Sequence, residues 1–317
     1  MMERLTLYLL MFLLLFTGCE PKEDIAEPEL VVEGWITSGG HPLVMLHKSI
    51  SFNESFESVA SLIEDKLVPF GKVTIDDGTQ KVILTGRLDT NYIPPYRYSS
   101  VEIIGEEGKT YSLTAEYENI ILTATTTIPP RAYFDSIQIE QKGENTDAME
   151  MRAFISDAAH SPKYYVLFYR ALGTIQYYNT FLGVFDNSGA KEGILSIPIY
   201  YSVASGTIGQ DKPVLFFKKG MDLEFMLTRV DKASYDFWKT FSAISVSSGS
   251  AFLPIHGKII SNVSGGKGYW CGYGSSSYIV KLRNDTTLIF DNDNTKTDKY
   301  TSLSTKIPQK EQVQSEG

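Results

Sequence analysis

The sequence predicts a mainly β protein made of two sandwich-like units and one amphipathic helix. Its 19 Tyr and 17 Phe, together with many Thr, Val and Ile, favour strands over helices. Short β-favouring segments follow one another throughout, and Gly, Pro, Asn or Asp separate them. The apolar spacing of a helix is clear in one segment, 231–244.

Residues 30–130 are predicted to form an immunoglobulin-like β-sandwich. Leu30–Thr37 has β-favouring residues in partial alternation, and a second strand is expected from Pro42 to Lys48. Six or seven such strands in about 100 residues, without a helical period, are typical of this fold. The Ser- and Glu-rich segment 51–66 is expected to be a loop that interrupts the sandwich.

Two hairpins are predicted inside this sandwich. Asp77-Gly78 tolerates the positive φ of a two-residue turn, so residues 72–85 should form a hairpin around it. A second hairpin is expected over 110–127, with its turn at Glu118-Asn119. Ile128-Pro129-Pro130 should end the pairing, because proline has no N–H to donate.

Residues 131–293 are predicted to form a larger β-rich, sandwich-like domain. Strands are expected at 136–140, 149–156, 164–171, 193–203, 214–218, 222–230 and 278–282. In the segment 231–244, Tyr235, Trp238 and Phe241 recur at helical spacing, and Asp231 can cap the first turn. We expect this helix to lie on a sheet. Residues 294–317 are polar and are predicted to be a disordered tail.

The N-terminus has the pattern of a bacterial lipoprotein signal peptide, residues 1–18. A charged start is followed by an apolar run from Leu5 to Phe16, and Thr17-Gly18 stand directly before Cys19. Such a run is too short for a retained membrane span. We therefore expect cleavage before Cys19 and attachment of acyl chains such as palmitate to it, which would anchor the protein in the outer membrane.

Residues 19–29 are predicted to be an acidic tether. Its acids and prolines keep such a segment solvated and extended. Acidic residues directly after the lipidated cysteine resemble the pattern that accompanies export to the outer face in Bacteroidota lipoproteins. The resemblance implies a surface-exposed protein.

Composition and motifs argue against several classes of function. A net charge of −9 disfavours nucleic acid, which needs clustered Lys and Arg. His41 and His47 lack a third metal ligand at zinc-like spacing, and the segment 291–302 fails the calcium-loop pattern. We expect no metal, cofactor or catalytic residue. Cys271 and His256 leave Cys–His hydrolase chemistry open, with a small half-buried side chain as the simpler interpretation of the cysteine.

A glycine-rich stretch at 265–268 leads into aromatic sequence. It lacks the spacing of a phosphate-binding loop, so a tight turn with close backbone approach is the simpler interpretation. Aromatic residues among Gly and Ser are common at binding surfaces. We predict a candidate binding surface at Tyr269, Trp270, Tyr273 and Tyr278.

Aromatic residues also crowd the second domain, where about half should fill the core and the rest could stack on sugars or contact a protein. The residues concerned are Tyr164, Tyr165, Phe168, Tyr169, Tyr177, Tyr178, Phe181, Phe185, Tyr200 and Tyr201.

Four motifs together resemble a known family. They are the segment 30–37 close behind the lipidation motif, the Ile-Pro-Pro junction, the Tyr-Asp-Phe-Trp helix, and Ser-Asn-Val-Ser-Gly-Gly-Lys-Gly followed by aromatics at 261–270. The family comprises uncharacterised outer-membrane lipoproteins of the Bacteroidota with a domain of unknown function. Its genes often lie beside those of TonB-dependent transporters.

The resemblance implies a location and a partner rather than a reaction. The leading hypothesis is a non-enzymatic accessory that docks on a TonB-dependent transporter or captures its nutrient ligand. The alternatives are a cell-surface hydrolase acting on polymer or peptide, and a structural, adhesin-like module.

Overall fold

The computed structural model describes most of the chain between residues 29 and 290. The predicted signal peptide, Cys19, all but the last residue of the tether, and the tail lie outside the described residues. Among the helices described, none is long and apolar enough to cross a membrane. The described ranges are 29–49, 58–143, 146–156, 161–201, 215–248, 258–283 and 287–290.

The predicted fold class is confirmed, because this part of the chain is mainly β with one long helix. Helix α1 is Val59–Lys66 and helix α2 is Lys232–Ser248. The strands are β1 Leu30–Thr37, β2 Leu43–Lys48, β3 Lys72–Asp76, β4 Lys81–Ile83, β5 Thr85–Leu88, β6 Tyr96–Ser99, β7 Thr110–Tyr117, β8 Ile120–Thr127, β9 Ser136–Gln141, β10 Ala148–Ser156, β11 Tyr164–Ala171, β12 Tyr178–Asp186, β13 Ile194–Ile199, β14 Phe217–Lys218, β15 Asp222–Val230, β16 Val263–Ser264, β17 Lys267–Lys281 and β18 Thr287–Phe290.

The first unit is a sandwich of two facing sheets. Strands β16-β8-β7-β3-β4 form one sheet, and β1-β2-β6-β5 form part of the other. Alternating side chains of both sheets meet in one buried core, as in β1, where every second residue is buried. Burial of these apolar side chains is the main stabilising term of the unit.

One long strand, β17, belongs to both units. Its first half pairs in parallel with β1, with Val31 opposite Lys267, and its second half pairs with β15, with Leu223 opposite Val280. The resulting sheet follows the order β12-β11-β15-β17-β1-β2-β6-β5, with β18 also on β17. Residues 263–273, which the sequence assigns to the second domain, therefore complete the first sandwich.

The second unit packs a smaller sheet of β9, β10, β13 and β14 against one face of β11, β15 and β17. Helix α2 covers the opposite face of the large sheet. The predicted cap is present, because the Ser234 N–H donates to Asp231 Oδ1 at 2.8 Å. Asp231 Oδ2 also accepts from Thr126 Oγ1 at 2.7 Å, which ties the helix to β8.

Several local predictions need correction. The segment predicted as a loop ends in helix α1, whose Ser58 and Ser61 side chains cap its first turn. The first hairpin has a four-residue loop, 77–80, because the Asp77 carboxylate accepts from the backbone N–H groups of Thr79 and Gln80. The second hairpin, at 110–127, has its predicted bounds.

Candidate functional site

The predicted binding surface on β17 is wrong for three of its four residues, because they are buried. Trp270 lies in the core of the first sandwich, and its indole N–H donates to the Tyr111 carbonyl at 3.0 Å. The Tyr278 ring packs on Phe134, whose N–H donates to the Tyr278 hydroxyl at 2.8 Å. These rings hold the cores together and are not accessible to a ligand.

Tyr273 and Tyr269 lie beneath helix α2. The Trp238 indole N–H donates to the Tyr273 hydroxyl at 3.1 Å, and the Phe237 and Tyr269 ring centroids are 4.5 Å apart. Burial raises the pKa of both tyrosines well above the ordinary value. Tyr269 remains half-buried at the edge of this cluster. The physical reason for the correction is that both faces of β17 are covered.

The motif at 261–270 has a structural role. The Asn262 side-chain amide pairs with both backbone groups of Trp270, as a neighbouring strand would. It accepts from the Trp270 N–H at 2.9 Å and donates to the Trp270 carbonyl at 2.8 Å. The predicted tight turn is present at Gly265-Gly266, whereas Gly268 lies in β17, where the predicted close backbone approach is found. Gly268 has φ 115°, and a Cβ there would lie 1.7 Å from the Val32 carbonyl oxygen.

Cys271 is a buried thiol. Burial raises its pKa to about 12, so the nucleophilic thiolate does not form near neutral pH. His256, its possible partner in the hydrolase hypothesis, lies outside the described residues. Within the described ranges no three His, Cys, Asp or Glu residues come together in a way that could hold a metal ion.

The two histidines considered as metal ligands, His41 and His47, each contact a different protein group. His41 Nδ1 lies 2.8 Å from the Ile103 carbonyl oxygen. His47 Nε2 lies 3.4 Å from Glu33 Oε1. Burial acts to lower the pKa of His47, but the hydrogen bond and charge of Glu33 prevail and raise it.

A tyrosine-lined cleft in the second unit is the candidate functional site. Its volume is about 580 Å³, and it opens where β11 ends and β12 and β15 begin. Three tyrosines form a row along it: Tyr178 packs on Tyr169 at 6.0 Å between ring centroids, and Tyr169 packs on Tyr201 at 5.5 Å. The Tyr178 side chain is 42% exposed, so one aromatic ring is open to a ligand.

The remaining lining of the cleft is uncharged. Apolar side chains alternate with hydroxyl and amide groups, and Asn91 reaches the cleft from the first unit. The lining residues are Asn91, Tyr169, Ala171, Gly173, Thr174, Ile175, Gln176, Tyr178, Tyr201, Met221 and Leu223. This chemistry suits stacking and hydrogen bonding to a neutral ligand.

A partly buried polar cluster holds the strand next to the cleft. The Arg170 guanidinium donates twice to Glu224 Oε2, at 2.8 and 2.6 Å, and the Tyr177 hydroxyl donates to Glu224 Oε1 at 2.6 Å. Arg170 also lies 4.5 Å from the Tyr177 ring. The cluster fixes residue 177 and therefore the start of β12, where the exposed Tyr178 ring is presented.

The sequence indicated this site only in part. The expectation that many aromatics of the second domain fill its core is confirmed for Tyr165, Phe168 and Tyr169. Tyr178 also belongs to the aromatic residues singled out in the sequence. Its exposure was not predictable, because it depends on strand β12, which was not among the strands predicted from the sequence. No sequence pattern around Asn91 indicated that it would line the cleft, because it meets residues that are distant in the sequence.

Comparison with known proteins gives one informative result. A search among curated proteins found no match. A crystal structure of domains A168–A170 from titin is 9% identical and covers 65% of this chain and 61% of the titin chain, with a TM-score of 0.19. The match thus spans less than two thirds of the titin structure, and a similarity this low supports no further conclusion.

A family model described as a domain of unknown function, DUF4249, matches residues 18–279. The match includes both sandwiches, the cleft and nearly all of β17. It extends over well more than half of the sequence, so the chain belongs to the DUF4249 family.

Proposed function

We propose that this protein is a lipid-anchored outer-membrane accessory that captures a ligand for a TonB-dependent transporter. The observation that carries the proposal is the uncharged cleft with the exposed Tyr178 ring. Its lining contains no Asp, Glu, His, Cys or Lys, which are the commonest general acids, bases and activating groups, although it does contain Tyr and Thr hydroxyls. Binding without a reaction fits such a lining.

The chemistry of the cleft favours a ligand with an apolar face and hydroxyl or amide groups. Tyr178 offers a ring for stacking, while Asn91, Thr174 and Gln176 offer hydrogen-bonding groups. Sugars and neutral peptide segments have this combination. The absence of charged lining residues disfavours phosphorylated and strongly ionic ligands, which basic side chains recognise.

The position of Glu29, the first described residue, supports an anchor close by. Glu29, ten residues after Cys19, is fixed by two hydrogen bonds to Ser49: its N–H donates to Ser49 Oγ at 2.9 Å, and its carbonyl accepts from the Ser49 N–H at 2.7 Å. Ten residues reach at most about 36 Å when fully extended. A lipid on Cys19 would therefore keep the protein near the membrane surface, where a transporter lies.

Affinity purification from the native envelope tests the proposal. The tagged lipoprotein is isolated in gentle detergent, and the proteins and small molecules that accompany it are identified by mass spectrometry. A transporter in stoichiometric amount, together with a ligand that Tyr178→Ala removes, is the expected result. Tyr133→Ala is the matched control, because Tyr133 is 44% exposed and lies outside the cleft lining.

The outcomes separate the parts of the proposal. A protein that purifies alone, without transporter or ligand, contradicts the accessory function. A variant Cys19→Ala that is still processed and retained in the membrane contradicts the anchor. Chemical conversion of a cleft-bound ligand would favour the hydrolase alternative.

A further inference from the structure

We infer that the end of the first sandwich next to residue 29 lies in the lipid headgroup layer. Phe70, Ile120 and Ile121, here called the apolar rim, would contact lipid there. The inference rests on the lipid anchor of the proposed function and adds to it a defined membrane-facing surface.

The apolar rim is exposed and lies at one end of the five-stranded sheet. Phe70 is 89% exposed and Ile121 is 59% exposed. Phe70 comes two residues before Lys72, which pairs with Glu116 near the end of β7, and Ile120 pairs with Tyr117 directly at the β7–β8 turn. Three exposed apolar side chains thus lie at the same end of the sheet, where a lipid layer could cover them.

The first described residues, Glu29 and Leu30, lie at this same end. The turn between β16 and β17 connects the two: a Cβ on Gly265 would lie 2.2 Å from the Ile121 carbonyl oxygen, and one on Gly266 would lie 2.5 Å from the Leu30 carbonyl oxygen. Leu30 follows Glu29, which is ten residues from Cys19. The chain therefore enters the first sandwich at the same end as the apolar rim, and the inference is that the predicted acyl chains insert beside it.

Charged side chains around the rim suit a lipid surface better than a dry protein interface. Lys72 pairs with Glu116 at 2.8 Å, and Lys267 lies 3.6 Å from Glu29. The Lys48 ammonium lies over the Tyr117 ring. A lysine with a long apolar stem beside an aromatic ring is typical of the membrane interface, where the stem contacts acyl chains and the head stays in water.

Site-specific fluorescence tests the inference with the full lipidated protein. Phe70→Cys is labelled with an environment-sensitive dye and bound to vesicles of phosphatidylcholine and phosphatidylethanolamine, part of which carry a spin label on the acyl chain. Cys271 is buried and Cys19 is expected to be acylated, so the new thiol should react alone. We expect a blue shift of emission on vesicle binding and quenching by the spin-labelled lipid.

Val101→Cys is the matched control. Val101 is 79% exposed and apolar, but it follows Ser99, which pairs with Leu43 at the opposite end of the sandwich. The dye at this position should show neither shift nor quenching.

Each outcome has one meaning. Vesicle-bound protein whose dye at residue 70 is not quenched overturns the inference and leaves the lipid anchor intact. A dye that is shielded in native envelopes but not in pure lipid vesicles also overturns it, because a protein then covers the rim. Protein that does not bind vesicles, and carries no acyl chain by mass spectrometry, contradicts the proposed function itself.

Discussion

Two tyrosine-rich regions of this protein differ in how completely their rings are covered. In β17 the rings are packed between a sheet and helix α2 or inside a sandwich. In the cleft Tyr169 is also buried, but Tyr178, at the start of β12, remains open. Aromatic residues beside Gly and Ser are therefore no guide to a binding surface. Whether both faces of the strand are covered decides their role.

The comparison also separates two kinds of polar contact. The hydroxyls of Tyr273 and Tyr278 are occupied by a Trp238 indole and a Phe134 backbone N–H. A buried ring with a saturated polar tip stabilises the fold. In the cleft the ring of Tyr178 is instead partly exposed, and under the proposed function a ligand would contact this ring.

Removal of Trp270 should have the largest effect. Trp270→Ala deletes a fully buried indole and its bond to the Tyr111 carbonyl, so we expect the free energy of unfolding to fall by about 3–5 kcal/mol. Urea denaturation of the purified variant measures it. A loss below about 1 kcal/mol would mean that this part of β17 is not core, and the comparison would fail.

The substitution Tyr273→Phe should have an intermediate effect. It keeps the ring but leaves the buried Trp238 N–H without its acceptor, which should cost about 1–3 kcal/mol. The matched control, Tyr178→Phe at the exposed ring, should change the free energy of unfolding by no more than about 0.5 kcal/mol. Equal losses at both positions would remove the distinction between the two regions.

Alkaline pH should weaken the fold through the buried tyrosines. Burial raises the pKa of Tyr269 and Tyr273 in the folded state, whereas an unfolded tyrosine ionises near pH 10. Their contribution is therefore complete below about pH 10 and is lost as the pH rises further. Urea midpoints measured across this range should fall, and more shallowly in Tyr273→Phe. If the urea midpoint fell equally steeply with pH in both proteins, ionisation of Tyr273 would not contribute to the loss of stability.

The smallest effect on stability is expected at the cleft. Tyr178→Ala should lower the free energy of unfolding by less than about 1 kcal/mol, because the ring is partly solvated and touches mainly Tyr169. Ligand binding by the same variant, measured by calorimetry with the ligand recovered from the envelope, should be lost. A destabilised variant with normal binding would make Tyr178 a core residue.

Local patterns account for what the sequence predicted well. The strands 30–37, 110–117, 120–127, 164–171 and 222–230 have their predicted bounds. The hairpin of β7 and β8 depends on neighbouring residues alone, and Glu118 takes the positive φ of its turn. The helix after Asp231 was likewise predictable from apolar spacing and a local cap.

Features set by distant contacts were not predictable. Only 278–282 was expected as a strand where β17 runs from Lys267 to Lys281, because Gly and Ser disfavour strands unless a partner strand enforces them. The burial of Trp270 depends on Tyr111, and the cleft depends on Asn91, each far away in sequence. No local pattern contains such pairings.

The parallel pairing of β1 with β17 also constrains how the chain can fold as it is made. Strand β1 begins at Leu30, yet the strand that pairs beside it begins only at Lys267. A chain that emerges with its N-terminus first must keep that edge of β1 open until almost the whole sequence has appeared. Closing so long a loop is slow, and an open edge invites pairing with other chains. We therefore expect the nascent protein to depend on holdase chaperones, and truncations before residue 267 to aggregate rather than leave a folded first sandwich.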